Sequence, residues 1–558
     1  MEKIQLDTST ILGNLFSGLT VAALSFPLAL AFGVQSGMGA FAGLFAAIAI
    51  GMMTAWFGGT PSMISGPTGP MTVISAAIIA LSIETSGSLS AAMGSIITIF
   101  VLAGIIQIIL GLFKAGAYFR YIPYPVVTGF FSGIGILLIV LQIFPVLGYS
   151  SPKNVVDIFI EAPGMLKQVN YAAVGLASAT LAIIYLLPKI SLTLPGSFVA
   201  LIVLTPIVTM LGLDVNLIGH ISTGYSDLQM DKLTLNQSLG LSTIVISALI
   251  LAVVGAIESL LTAVVADNKT KKRHNCNEEL IGQGMGNMLS AVIGGIPGAG
   301  ANMHTIFNIK AGGRTHLSGL INSVTLLILM LGAGSYVHFI PLPIVAGILI
   351  SVGIELINFQ QIRNILRIPK TEATIMLIVL GLTVFDDIFQ AVTLGVVMAT
   401  FLLMKKMADM TENKALSGTI DEFTREKAWA DEAYLTQEIQ QKIYIKHINS
   451  PVFQRFSPEF LALPNRHHEI EIVILRMEKV SYIDLLGVYA IKEAVSVLQD
   501  NNITLLVTGL QQQPRDMLKK VRMIPHILPE NTLHLDFQSA IKSLSTVTPY
   551  PSSQKNEI

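Results

Sequence analysis

The chain reads as a polytopic α-helical membrane protein, a 7+7 inverted repeat of about fourteen spans followed by a cytoplasmic α/β domain. An uneven spread of charge, an internal repeat and two matched breaks in apolar runs lead to this reading. The 558 residues are 52% hydrophobic and 12% charged, with mean hydropathy +0.67. That is too apolar for a soluble protein of this length. Residues 1–412 carry 36 charged side chains, while the 146 residues from 413 to 558 carry 33. The membrane part and the water-exposed part therefore separate along the chain. We divide it into a transmembrane domain (1–410), a linker with an initial helix (411–440), an α/β domain (441–548) and a disordered tail (549–558).

Apolar runs with short polar breaks predict spans at 11–34, 38–57, 68–82, 91–113, 121–147, 171–187, 195–212, 241–266, 280–294, 301–309, 317–335, 340–357, 371–389 and 391–404. An even number puts both termini on one side. With that side cytoplasmic, 15 Lys/Arg fall on inside segments and only Lys153, Lys167 and Lys232 fall outside. The positive-inside rule supports this orientation. The start, MEKIQLDTST, is polar and lacks a signal-peptide pattern, so insertion is expected to begin with the first span. One cysteine, Cys276, excludes an intrachain disulfide and a cysteine-rich metal site. The net charge of −1 gives no argument for nucleic acid, and no such partner is expected.

The repeat is explicit. YIPYPVVTGFFSGIGI (121–136) matches FIPLPIVAGILISVGI (339–354). Pro123, Pro125, Gly129 and Gly135 recur as Pro341, Pro343, Gly347 and Gly353, each 218 residues later. An offset of 230 places Pro67, in GPTGPMTV (66–73), on Pro297, in GGIPGAGANMHT (294–305). Seven spans per half is odd, so the halves insert with opposite orientation.

Both halves thus carry a Gly/Pro-interrupted segment at matching positions. Proline removes a backbone donor and glycine loosens the backbone, so a plain spanning helix would not hold these residues. A half-helix beginning near Thr68 and Gly69, and one beginning near Ala301 and Asn302, would meet in mid-membrane. Each start exposes unpaired N–H groups and about half a positive charge. Two facing starts make an anion site without any lysine. The blander reading, prolines that merely kink packed helices, does not explain a matched pair.

Glu258 is the single charged residue from Leu241 to Ala266. An ionised acid at mid-membrane costs roughly 2.5–3.5 kcal/mol or more, so it needs a cation, a proton or a polar partner. Thr262 lies one turn on, on the same face, and adds a hydroxyl oxygen. Such oxygens suit a hard cation such as sodium. An anion entering an inside-negative cell opposes about 2.3 kcal/mol per charge per 100 mV, which one accompanying cation cancels. A structural hydrogen bond to a neighbouring helix is the competing role for this acid. His304 can tune the anion site or simply fill a packed break. Asp386 and Asp387, at a span end, and the Lys269–His274 loop read as solvated. No histidine cluster has metal-ligand spacing, and no phosphate loop or nucleophile–base pattern appears, so no enzyme is expected.

In the tail, YIKHI (444–448), EIVILRM (471–477), ITLLVTG (503–509) and LHLDF (533–537) read as strands. DLLGVYAIKEAVSVLQD (484–500) and PRDMLKKVRM (514–523) read as helices with one apolar face.

With these motifs in order, the chain resembles the SulP family of anion transporters with a C-terminal STAS domain. The resemblance rests on FPLALAFGV (26–34), GGTPSMISGPTGPMTV (58–73), IPYPVVTGF (122–130), GAIESLLTAVVAD (255–267), GGIPGAGANMHT (294–305), NIKAGGRTHLSG (308–319) and VSYIDLLGV (480–488). It covers nearly the whole chain. It implies core and gate domains, elevator-like alternating access, a homodimer to which the STAS domain contributes, a lipid environment and a bacterial inner-membrane location. Leu28, after Pro27, stands where many members have glutamine, and this is similar to the family's bicarbonate branch. By that similarity the anion meets Thr68, with Gly69 just inside the helix, and the Ala301/Asn302 backbone. Sodium meets Glu258, Thr262, the Gly300 carbonyl and Asn302. The branch carries aspartate and threonine where this chain has Glu258 and Asn302, and glutamate also occurs in members coupled to protons. Asp484 is followed by Leu485 rather than the phosphorylatable serine of antagonist-type STAS domains, which points to assembly or trafficking. The leading expectation is bicarbonate import by sodium symport. The alternatives are proton-coupled sulfate or dicarboxylate transport and an uncoupled anion channel.

Overall fold

The computed structural model describes residues 8–121, 124–152, 155–165, 169–190, 194–218, 239–363, 365, 370–385, 394, 397–398, 400–401, 416–419, 442–448, 470–483 and 485–544. The chain divides into two units, 1–399 and 400–558.

In the first unit the predicted spans appear as helices α1 (Thr8–Ser36), α2 (Ala40–Phe57), α3 (Gly69–Ser86), α4 (Leu89–Leu112) and α5 (Tyr124–Leu141), the last continued by α6 (Ile143–Leu147). A short helix α7 (Val155–Met165) precedes α8 (Tyr171–Ile190) and α9 (Gly196–Leu211). The second half holds α10 (Leu241–Thr270), α11 (Cys276–Val292), α12 (Asn302–Lys310), α13 (His316–Ala333), α14 (Leu342–Leu356), α15 (Phe359–Arg363) and α16 (Lys370–Phe385). Among the described residues, eight helices are long and apolar enough to cross a membrane, and three shorter apolar ones accompany them. The expected span 391–404, like Asp386 and Asp387, falls largely outside the described residues.

The single span expected at 121–147 is divided between α5 and α6. Pro145 has no N–H for the Leu141 carbonyl, and the helix breaks there. The amphipathic α7 was not expected from the sequence; at 11 residues it is too short for a span signal.

The helices pack as two bundles. In one, α4 lies on α11 and α10, and α2 lies on α11 and α13. In the other, α5 lies on α16 and α14, and α8 lies on α14 and α9. The contacts come in repeat-related pairs: α4 on α11 is mirrored by α13 on α2, and α5 on α16 by α14 on α8. The repeated glycines meet across this symmetry. A Cβ on Gly135 would lie 2.5 Å from the Gly353 carbonyl oxygen, and one on Gly353 would lie 2.7 Å from that of Gly135. Only glycine lets these two helices touch backbone to backbone.

In the second unit, β3 (Leu416–Thr419), β4 (Ile443–His447), β5 (Ile472–Arg476), β6 (Thr504–Thr508) and β7 (Leu533–His534) form one sheet in that order. β3 is antiparallel to β4, and the rest run parallel. β3 lies in the stretch read as linker and initial helix. Its four residues, LSGT, carry no periodic signal and owe their strand form to pairing with β4. Helices α17 (Leu485–Asp500) and α18 (Gln512–Lys520) match the two expected, and α19 (Phe537–Ser543) begins where a strand was read. Asp536 caps α19 in a capping box with Ser539, and so ends β7 early. Val473, Leu475, Leu505 and Val507 face one apolar cluster with Val488, Ile491 and Leu518. Ile443, Ile445, Ile474 and Leu506 face a second with Phe537 and Ala540. The period-2 alternation of the strands therefore buries both faces.

Candidate functional site

Both breaks sit where the sequence placed them. Before α3 and α12 the chain forms two-residue strands, β1 (Ser65–Gly66) and β2 (Ala299–Gly300), which pair antiparallel with Ser65 opposite Gly300 and Gly66 opposite Ala299. The pairing extends on one side, where Ala301 N–H bonds the Ile64 carbonyl at 2.8 Å and Thr305 Oγ1 accepts from Ile64 N–H at 3.1 Å. Extended backbone inside a membrane domain survives only when its polar groups are satisfied this way.

The two half-helices start from this crossing. Thr68 occupies the N-cap of α3 with extended backbone, yet its hydroxyl makes no capping bond. It donates instead to Glu258 Oε2 at 2.7 Å. Ala301 occupies the N-cap of α12 and has no side chain to cap with. Elsewhere Ser88, Asn275 and Thr315 cap their helices in the ordinary way. At α3 the Gly69 and Met71 N–H groups precede the first intrahelical bond, Thr72 N–H to Thr68 O. At α12 the Asn302, Met303 and His304 N–H groups precede Thr305 N–H to Ala301 O. These donors, with the helix dipoles behind them, make a positive zone built from backbone alone.

Glu258 is 9% exposed, on the buried face of α10. Thr262, one turn on, donates to the Gly300 carbonyl at 2.8 Å, and Ser259 Oγ accepts from Gly300 N–H at 3.0 Å. Glu258, Thr262 and Gly300 are thereby brought together, and Thr68 joins them. The oxygens of this group suit a small hard cation. Asn302 does not join: its side chain is exposed, and no hydrogen bond links it to Glu258 or Thr262. His304 is buried and lines a cavity of about 10 Å³ with Ser25, Leu28, Pro67, Ala301 and Asn322. That is room for about one water. Gly69 faces the other bundle, where a Cβ would lie 2.9 Å from Leu356 Cδ1 and 3.0 Å from Leu138 Cδ1.

The sequence reading missed the residues that hold the breaks. On α11, Gln283 donates to Ser65 Oγ at 2.6 Å, and Asn287 bonds both the N–H and the carbonyl of Gly298. Ser290 holds the Ile296 carbonyl at 2.7 Å. Gln283, Asn287 and Ser290 fall on one face of a helix, and that polar stripe in an apolar span was the available signal. Asn308 donates to the Ser62 carbonyl and to Ser318 Oγ, closing the far end of α12.

A membrane domain in which two uncapped half-helices start beside the buried Glu258 has the layout of an anion transporter. The sequence itself matches the Sulfate permease family over residues 11–379 and the STAS domain over residues 432–540. The chain belongs to the sulfate permease (SulP) family and ends in a STAS domain. It is 35% identical over 544 residues to the bicarbonate transporter BicA of Picosynechococcus sp., covering 96% of this chain and 94% of that one. It is 28% identical over 524 residues to the putative sulfate transporter YvdB of Bacillus subtilis, covering 92% and 94%. The solved transmembrane domain of a cyanobacterial bicarbonate transporter BicA superposes with TM-score 0.63 at 39% identity, covering 71% of this chain and 98% of that one.

Proposed function

We propose that this multi-pass transporter imports bicarbonate together with sodium. The observation that carries the reading is the 2.7 Å bond from Thr68 to Glu258, which ties the start of the anion half-helix to the acid. A bare carboxylate there repels an anion. A sodium ion on Glu258, Thr262 and the Gly300 carbonyl removes that repulsion and adds attraction, so the cation makes the anion site. The anion is then held between the N–H groups of α3 and α12, at Thr68, Gly69, Ala301 and Asn302. The similarity to BicA, in sequence and in the solved transmembrane domain, favours bicarbonate as that anion. The bundle of α1–α4 and α10–α13 carries both ions and slides as an elevator past the bundle of α5 and α14. The working form is a homodimer in the bacterial inner membrane, with both termini cytoplasmic and the STAS domain contributing to assembly.

A second reading rests on the same contact. A protonated Glu258 holds Thr68 equally well, and a proton gradient then drives sulfate or dicarboxylate uptake. The deciding experiment is uptake of radiolabelled bicarbonate and sulfate into proteoliposomes, with sodium and proton gradients imposed separately. Bicarbonate uptake driven by sodium alone supports the first reading. Sulfate uptake driven by protons alone overturns it in favour of the second, and uptake indifferent to both gradients leaves an uncoupled channel.

A further inference from the structure

Cys276 is the only cysteine in the chain and the first residue of α11. Its sulfur lies 3.1 Å from His274 Nε2. The other ring nitrogen, His274 Nδ1, lies 2.7 Å from Asp267 Oδ2, in the last turn of α10. Thiol, imidazole and carboxylate thus stand in the order nucleophile, base and orienting acid. From the sequence alone, Lys269–His274 reads as a solvated loop. In fact the His274 side chain is 8% exposed, so its ring is fixed out of bulk water. Cys276 itself is half-buried, packed at the edge of the apolar cluster of Ala256, Leu260 and Leu280. Asn275 caps α11, its Oδ1 accepting the N–H groups of Asn277 at 3.1 Å and Glu278 at 3.4 Å, and so fixes Cys276 as the first helical residue. Lys271, Lys272 and Arg273, all exposed, precede the histidine.

We propose that Cys276 is a nucleophilic thiol that forms a mixed disulfide with small anionic disulfides. His274 takes the Sγ proton, and Cys276 Sγ attacks one sulfur of the incoming disulfide. The new S–S bond forms as the old one breaks, and the departing thiolate leaves with a proton from His274 or water. The incoming disulfide is the oxidant, and one equivalent of thiol is released. The three exposed cations outnumber Glu278, the exposed acid in the first turn of α11, and so favour negative charge on the incoming molecule.

The test uses the purified full-length protein and oxidised glutathione, with the adduct followed by intact mass. Hydroxyethyl disulfide serves as the neutral probe. Wild type is expected to react at least about tenfold faster than His274→Gln and Asp267→Asn, since a positioned base commonly contributes 10²–10⁴. Each variant is compared only as a monodisperse protein, and the two together guard against one that misfolds. Neutralising Lys271, Lys272 and Arg273 to Gln should slow the glutathione reaction several-fold and leave the hydroxyethyl disulfide rate unchanged. Cys276→Ser should give no adduct. Equal rates in wild type and both histidine-network variants, or no adduct on wild type, would overturn the proposal.

Discussion

Thr68 gives its hydroxyl hydrogen to Glu258 across 2.7 Å, so the first half-helix begins by holding the acid rather than by capping itself. A threonine at an N-cap normally satisfies a first-turn N–H, and removing such a cap costs about 1 kcal/mol. Here that bond is given up, and two effects follow. The N–H groups of Gly69 and Met71 stay available to an anion, and the state of the acid is transmitted to the helix that would hold it.

Thr68→Val keeps the shape and removes the donor. A hydrogen bond to a charged group is worth about 1.5–3 kcal/mol. The apparent affinities for cation and anion should therefore both fall, by roughly tenfold to a hundredfold. Thr72, one turn on, is fully buried, and its hydroxyl has no partner among the described residues. Thr72→Val should leave both affinities near wild type. Titrating each ion at saturating levels of the other checks this. A shift in anion affinity alone would mean that Thr68 acts on the anion directly and not through the acid.

Glu258→Gln preserves an oxygen for Thr68 and removes the negative charge. Gradient-driven uptake should be abolished, while the variant folds and is expressed like wild type. Uptake in proteoliposomes, scored beside size-exclusion profiles, is the measurement. Wild-type uptake with unchanged sodium dependence would remove Glu258 from the cation site.

Much of this was legible in the sequence, because each signal was local. Pro67 and Pro297 mark the breaks by what proline and glycine do to any helix. Glu258 stands out because a lone acid in an apolar run needs a reason. The partners of these residues were not legible. Ser259 and Gln283 look like ordinary small or polar residues in a helix, and their roles depend on which backbone they meet. Hydropathy says that a helix is buried, not against what. Asn302 shows the converse: the motif nominated it for both ions, yet the structure leaves it exposed. The closeness of Asp267, His274 and Cys276 depends on how α10 turns into α11, which no spacing rule captures.

The meeting of Gly135 and Gly353 makes a stability prediction. Gly135→Ala puts a methyl 2.5 Å from a carbonyl oxygen, where backbone and not a flexible side chain must yield. Overpacking of this kind typically costs about 1–3 kcal/mol. The thermal unfolding midpoint in detergent should drop, and Gly353→Ala should do the same. The double variant should cost less than the sum, since one separation of α5 and α14 relieves both clashes. Gly332→Ala, with nothing within 4 Å of the added methyl, is the neutral control. An unchanged midpoint for Gly135→Ala would mean that the two helices do not touch in the membrane.

The remaining prediction concerns the STAS domain. Residues proposed to touch either ion, from Thr68 to Asn302, all lie in the first unit. The second unit has its own five-stranded sheet and an apolar cluster on each face. It can therefore hold itself together without lending a side chain to the site. The solved BicA relative is a transmembrane domain by itself, and it aligns with 71% of this chain. A chain ending at Met410 should accordingly bind the anion in detergent with near-wild-type affinity. If the STAS domain serves assembly, the same truncation should lower the dimer fraction seen by light scattering. The two readouts separate the roles: binding kept and dimer lost is the expected pair. Complete loss of anion binding by a monodisperse truncated protein would mean that the tail shapes the site, and the division of labour would have to be abandoned.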